Sequence, residues 1–339
     1  MQTEKQHIAL RLVNADAVSF EADVLVLKYA QNHYGLDRSV SQKGTRLGID
    51  AQDFAPLPGI CTYFTSRGVV AASMLLVVGV TALSTFGYRE IRQFARTSLE
   101  ALAKDAPSDP ISHICLTLHG AEYGLDEIEA FEAEVAGLID SITAGRIPGS
   151  LREISIVEID KRRSERLQSV LHDLIPRGYV ETSLNEYLHS SDADVTERFR
   201  SAGYSSHEKP SIFVAMPFKH EMDDVYEYGI QNAVRRAGFL CERSDLSSFT
   251  GNVMDWVRQR IRNASFVIAD LTEANPNVYL EVGYAWGTGV QTVLLAQGSD
   301  HLKFDTRGHR CIVYTRIKEL EDKLYEELSN LTQNASASK

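Results

Sequence analysis

Short apolar runs alternate with stretches of helical periodicity along most of the chain. In the first half, Ile8–Val13, Val24–Lys28, Met74–Val80, Ile114–Leu118 and Ile154–Ile159 read as strands. Between them, Ile91, Phe94, Ala95, Leu99 and Leu102 form one helical stripe, and Ile128, Phe131, Val135, Leu138 and Ile139 form another. Alternation of this kind predicts a mostly parallel sheet with helices on both faces.

In the second half the strand-like runs are Ile212–Met216, Phe239–Arg243, Phe266–Asp270, Thr292–Ala296 and Cys311–Tyr314. Helical patterns fall at about Met222–Arg236, about Asn252–Arg262, from Pro276 to about Gly287, and from Lys318 onward. Five strands separated by helices predict a flavodoxin-like, doubly wound parallel sheet, in which ligands bind beyond the carboxyl ends of the strands. Residues 181–210 are polar and turn-rich, the composition of a linker or of a surface helix flanked by loops. The expected organisation is thus an α/β domain over 1–180, a linker over 181–210, a second α/β domain over 211–330 and a disordered tail over 331–339.

A length of 339 residues supports two cores without disulfides or metal. With 44% hydrophobic and 24% charged residues and no apolar run approaching the roughly 18 residues of a membrane span, a soluble protein without a membrane partner is expected. Met1–His7 is polar and leads straight into a strand pattern, so the expected location is cytoplasmic. Cys61, Cys115, Cys241 and Cys311 lie far apart, without zinc or redox spacing, and read as buried reduced thiols. The net charge of −11 disfavours a general nucleic-acid role, and none is expected. Residues 210–339, with 14 basic and 17 acidic side chains, contribute only −3 of it, which leaves room there for a local basic pocket.

The candidate chemistry clusters at the strand ends of the second half. Asp270 closes an apolar run, where a carboxylate either faces the ligand crevice or caps a turn. Asn275 suits an N-cap and Pro276 the first helical position, which places Glu281 in the second turn. Asn277 and Glu281 stand four residues apart on one face, with Tyr284 and Ala285 following on the same side. Gly283, Ala285, Gly287 and Gly289 suggest close packing around Glu281. At the other strand ends, Met216, Pro217 and Phe218 either stack against a base or fill the crevice wall. Arg243 either holds a phosphate or carboxylate or pairs with Glu242 or Asp245. Lys303–Arg307 is either a lid or a plain loop. In the first half, His119–Gly124 before Asp126 is either a phosphate cradle or a structural turn, the acidic helix start disfavouring an anion.

Taken in order, FVAMPF (213–218), the GI-x-x-AV-x-x-AGF pattern (229–239), ERSD (242–245), VIADLT (267–272), NPNVYLEVGYAWG (275–287) and FDTRGHRCIVY (304–314) resemble the nucleoside 2-deoxyribosyltransferase-like superfamily, especially its bacterial branch of TIR-like nucleotide-binding proteins. The resemblance covers about 211–315. It implies that Glu281 is the nucleophile or oxocarbenium stabiliser and that Asp270 contacts the base. Asn275 and Asn277 stand where the enzymes carry an acidic residue, which removes a candidate general acid. More faintly, Ala22–Val26, the strand Met74–Val80 and His119–Asp126 resemble macro-type domains, including the amino-terminal domain of leucine aminopeptidases.

The resemblance implies an N-glycosidase or N-ribosyltransferase acting on a nucleoside, nucleotide or NAD, with Met216, Pro217, Phe218, Arg243, Asp245, Asn275, Asn277 and Tyr284 around the substrate. It implies no metal and no cofactor, NAD entering only as a substrate, a homo-oligomer, and a context such as antiviral defence with the macro-like domain as sensor or assembly module. A non-catalytic nucleotide-binding receptor and a self-associating scaffold are the competing readings.

Overall fold

The structure is a computed structural model that describes residues 6–104, 110–182, 193–243, 253–298 and 311–337. It divides into two compact units, Met1–Ala121 with Glu127–Ser206, and Glu122–Asp126 with His207–Lys339.

The first unit is built on a seven-stranded sheet of β1 (His7–Asn14), β2 (Val24–Tyr29), β3 (Cys61–Thr65), β4 (Met74–Gly79), β5 (His113–Thr117), β6 (Glu153–Glu158) and β7 (Tyr179–Glu181), in the order β3-β4-β2-β5-β6-β1-β7. The inner five strands are parallel, as expected, while β3 and β7 add antiparallel edges. Around the sheet stand α1 (Gly35–Arg46), α2 (Tyr88–Lys104), α3 (Glu127–Thr143), α4 (Lys161–Leu174) and α5 (Ala193–Ser201). The expected stripes of α2 and α3 are the buried ones, with Ile91, Ala95, Leu99, Phe131 and Val135 fully shielded. α4 starts where Asp160 accepts the N–H of Arg163 at 2.8 Å.

Helix α5 lies inside the stretch expected as a linker, and it packs as part of this unit. Arg92, buried on α2, forms a bidentate pair with Asp140 at 2.8 and 2.9 Å. Its remaining donor atom Nη1 reaches the carbonyls of Phe199 at 2.8 Å and Ala202 at 2.6 Å. The Tyr204 ring covers the guanidinium at 4.1 Å. One arginine thus satisfies the carbonyl end of α5, which otherwise needs water or a cap.

The second unit is a five-stranded, wholly parallel sheet of β8 (Ser211–Ala215), β9 (Leu240–Arg243), β10 (Phe266–Asp270), β11 (Thr292–Gln297) and β12 (Cys311–Tyr314) in the order β12-β11-β10-β8-β9. This is the flavodoxin-like order, with the direction of winding reversing between β8 and β10. Alternation along β8 sends Ile212 and Val214 into one core with Ile230, Leu320 and Leu324. Phe213 and Ala215 enter the opposite core with Val257, Val278, Val282 and Ala285. The first helical stretch is a π segment, Val225–Gln231, that runs into α6 (Asn232–Arg236), followed by α7 (Val253–Asn263), α8 (Pro276–Gly287) and α9 (Ile317–Ala337). α9 continues through most of the expected disordered tail. Leu320, Leu324 and Leu328, all fully buried, anchor one face of it, and an anchored helix propagates at little further cost.

Asp126, in the short segment that belongs to this unit, accepts the backbone N–H of Cys241 on edge strand β9 at 3.0 Å and pairs with Arg235 at 3.3 Å. Gly124 has φ +87, and a Cβ there would meet Trp256 at 2.4 Å. In the first unit, Glu134 takes both the N–H and the ring Nδ1 of buried His119, at 3.1 and 2.9 Å. These contacts favour a structural turn over a phosphate cradle. All four cysteines are free and lie in strands; Cys115 and Cys241 are buried, whereas Cys61 and Cys311 are half-buried. Among the described residues no helix is long and apolar enough to cross a membrane.

Replacing Arg92 by Ala strands Asp140 and the α5 carbonyls together. The expected loss is about 2–4 kcal/mol, read as a lower thermal midpoint, with faster proteolysis within 193–206 than elsewhere.

Candidate functional site

The winding reversal puts the crevice of the second unit between the loops that follow β8 and β10. β10 is buried throughout and ends at Asp270. The next residues turn sharply: Glu273 and Ala274 both hold left-handed φ values, +69 and +52, which costs non-glycine residues on the order of 1 kcal/mol or more each. Asn275 then accepts the N–H of Asn277 at 2.9 Å, and Pro276 opens α8, as the sequence predicts.

Two turns into α8, Val278, Val282 and Ala285 pack on the sheet while Asn277, Leu280, Gly283 and Gly287 face solvent. Glu281 falls on the inner side. It retains 8% exposure, and among the described residues its carboxylate has no hydrogen-bond or ion-pair partner. Burial alone pushes its carboxyl from an ordinary 4.5 up to about 7, so near neutrality it is about half ionised. Three residues on, the hydroxyl of half-buried Tyr284 is also buried without a partner among the described residues, its ring 5.8 Å from the guanidinium of Arg258 and 5.6 Å from that of Arg262. The expected close packing at the glycines is absent. A Cβ at Gly283, Gly287 or Gly289 would meet nothing within 4 Å, and only Gly289, at φ +77, needs glycine for its backbone.

Asp270 is not open to a ligand. It is 0% exposed, and its two oxygens are met by the hydroxyl of Tyr314 at 2.8 Å and the N–H of Thr272 at 2.9 Å. Thr272 in turn accepts the N–H of Gln297 at 2.9 Å. The aspartate therefore ties together the ends of β10, β11 and β12. Burial, and then the neighbouring carboxylate, holds the Tyr314 phenol well above its usual range. Tyr314 went unrecognised in the sequence, where its signal was a tyrosine closing an otherwise apolar strand, a position that demands a hydroxyl partner.

On the opposite side of the crevice, Met216 is buried in the core and fills the wall. Pro217 is buried, and Phe218 is 42% exposed. Arg243, the last residue of β9, comes to this loop. Its guanidinium carbon lies 4.0 Å from the Phe218 ring centre and 4.5 Å from that of Tyr226, and Nη2 donates to the Pro217 carbonyl at 3.3 Å. Glu242 pairs with Arg260 at 2.8 Å, not with Arg243. Lys219 and Glu273 form an ion pair at 2.6 Å that links the two loops. Asn277 is exposed although Glu281, one turn later, is buried. Asp245 and Lys303–Arg307 lie outside the described residues. Among the described residues no group of three or more His, Cys, Asp or Glu side chains stands ready for a metal ion.

No protein-family model matches the chain, and no curated protein does. Solved structures similar to parts of it include a CMP N-glycosidase of Clostridium botulinum, at 21% identity over 34% of this chain and 98% of that one, with a TM-score of 0.30. A Trypanosoma brucei macrodomain in complex with ADP shares 12% identity over 48% of this chain and 69% of its own, with a TM-score of 0.38. The macro domain of ganglioside induced differentiation associated protein 2 shares 12% identity over 52% of this chain and 86% of its own, also with a TM-score of 0.38. At scores this low the likeness carries no functional argument, and the reading below rests on the residues of the chain.

Two stability effects follow from the geometry. Tyr314→Phe leaves one oxygen of a fully buried carboxylate without its donor and is expected to cost about 1–3 kcal/mol in denaturant unfolding. Glu281→Gln works in the opposite direction. The folded-state pKa of Glu281 is raised, so the carboxyl favours the folded state below its ordinary 4.5 and loses that advantage as pH climbs to about 7. Above that, ionisation in place costs up to about 3 kcal/mol. The glutamine variant should therefore unfold at a higher temperature than wild type at pH 8 and at nearly the same temperature at pH 4.5.

Proposed function

We propose that the second unit breaks or exchanges the N-glycosidic bond of a nucleoside, nucleotide or NAD, with Glu281 as nucleophile or oxocarbenium stabiliser. The observation that carries this reading is a carboxylate shielded from water, with no counter-charge among the described residues, beside the crevice of a doubly wound sheet. Such a group has unspent capacity to meet positive charge, and a glycosyl centre losing its base supplies that charge. The bond from the anomeric carbon to the base nitrogen breaks, and its electron pair leaves with the base. The anomeric carbon is taken by the Glu281 carboxylate and then by water, or by water directly, and the proton of that water goes to the departed base or to solvent.

Among the described residues a second carboxylate is not at hand. Asp270 is held by Tyr314 and Thr272, and the side-chain oxygen of Asn275 is engaged in capping α8. Without a general acid, a leaving group that departs uncharged is favoured, which points toward a cationic base such as nicotinamide. The same observation supports the competing reading of a nucleotide-binding receptor that holds its ligand without turning it over.

Incubating the purified protein with nucleosides, deoxynucleotides and NAD, and following the freed base by chromatography, separates the two readings. Base is expected to appear with wild type and to fall at least a hundredfold with Glu281→Gln; equal turnover by the two proteins removes Glu281 from the mechanism, and binding without release establishes the receptor. The job needs the ionised carboxylate, so kcat/KM should rise with pH through a midpoint near 7.

A further inference from the structure

We propose that Tyr284 reads the 2-hydroxyl of the sugar, so that the group handled at Glu281 is ribosyl and not 2-deoxyribosyl, an inference that rests on the reading of Glu281 above. Tyr284 follows Glu281 by three residues on α8, and side chains so spaced are neighbours on one flank of a helix, both leaning toward its start. Among the described residues the Glu281 carboxylate has no hydrogen-bond or ion-pair partner, and the buried Tyr284 hydroxyl has none either. The two do not bond each other. An acceptor and a hydroxyl thus stand side by side, both withdrawn from water and both unsatisfied, where a fold normally supplies partners. One orphan by itself is a packing cost; an adjacent pair points to a single ligand that answers both.

Tyr284 is also held in place. Its ring packs against the core that contains Val257 and Val282, and from α7 the guanidinium groups of Arg258 and Arg262 lie 5.8 and 5.6 Å from the ring centre. These contacts fall on the ring and leave the hydroxyl itself unspent. The Cβ atoms of residues three apart on a helix lie about 5–6 Å from each other. A sugar whose anomeric carbon meets the Glu281 carboxylate therefore offers the tyrosine the hydroxyl of the next ring carbon. That group both donates and accepts, as a phenol does, so either direction of the bond satisfies the pair. A bond to the 2-hydroxyl also strengthens as the glycosyl centre becomes cationic, which ties selectivity to the chemical step. With a 2-deoxyribosyl group the phenol stays buried and unpaired, and both binding and rate suffer.

The test offers the full chain ribonucleosides, their 5′-monophosphates and NAD, each against its 2′-deoxyribosyl counterpart, with base release followed by chromatography and binding by calorimetry. At least one ribosyl compound is expected to be preferred about thirtyfold or more, in kcat/KM or in affinity. Tyr284→Phe should cut that preference to about threefold or less, with the loss on the ribosyl side. A measurement without ligand keeps the role of the hydroxyl separate from a structural one. Because the hydroxyl has no partner to lose, Tyr284→Phe should unfold at the wild-type temperature or slightly above it, whereas a structural hydroxyl would lower the midpoint. Equal handling of ribosyl and 2-deoxyribosyl compounds, no binding or release with any of them, a preference that survives Tyr284→Phe, or a lowered midpoint would each overturn the inference. Ribosyl-selective binding that Tyr284→Phe abolishes, without base release, leaves it standing and removes the glycosidase reading. Glu281-dependent base release from both sugar classes with equal efficiency does the reverse.

Discussion

Taking a carboxylate out of water with neither a cation nor a hydrogen-bond donor to meet it costs several kcal/mol, and the group responds by holding its proton. Among the described residues Glu281 on α8 is in that position, and burial pushes its carboxyl up to about 7. A fold that carries such a residue gives up stability at neutral pH, a cost that the proposed catalytic role accounts for. In an enzyme the partner of such a group is the charge that develops at a reacting carbon, which is why stability and activity pull against each other at sites of this kind.

Placing Glu281 depends on the residues just before it. Asp270 anchors the end of β10 to Tyr314 and to the N–H of Thr272, and Thr272 hands the connection on to Gln297. Two residues then adopt left-handed backbone, and Asn275 with Pro276 starts the next helix at a fixed point. Each step removes freedom from the one after it. By the second turn of α8 the backbone position of Glu281 is set, which is a first part of the preorganisation a charge-stabilising group requires. In this account Asp270 acts as a fastening for the crevice floor, and a direct contact between it and a base would require displacing Tyr314 or the turn at Thr272.

Much of this was legible from the residues. The doubly wound sheet followed from five apolar runs with helices between them, and the start of α8 from Asn275-Pro276. What escaped notice shares a physical cause. β3 has half-exposed side chains throughout and β7 is three residues long, so neither shows the alternation that marks a strand. α5 looks like a linker because its stability comes from Arg92, about a hundred residues earlier, and not from its own polar sequence. The role of Tyr314 depends on a hydroxyl reaching across from β12 to the end of β10, a relation that strand order determines and chain order conceals. The glycines of α8 differ for the opposite reason: Gly283 and Gly287, poor helix formers, line an open face and not a close approach.

The two units treat buried charge differently, and the contrast supports placing the proposed chemistry at Glu281. In the first unit, Lys28 meets Asp37 at 3.0 Å, Arg92 meets Asp140, and His119 meets Glu134 at 2.9 Å, each a buried group with its complement already supplied by the fold. Pairs of this kind are expensive to break and have little left to offer a ligand. In the second unit Asp126 and Glu242 follow the same rule through Arg235 and Arg260. Among the described residues Glu281 departs from it, one helix start after the left-handed pair Glu273 and Ala274. A defect in packing would be expected at random positions, whereas a carboxylate left uncompensated among the described residues, just after the strained turn that follows β10, is the kind of group the proposed cationic centre would engage.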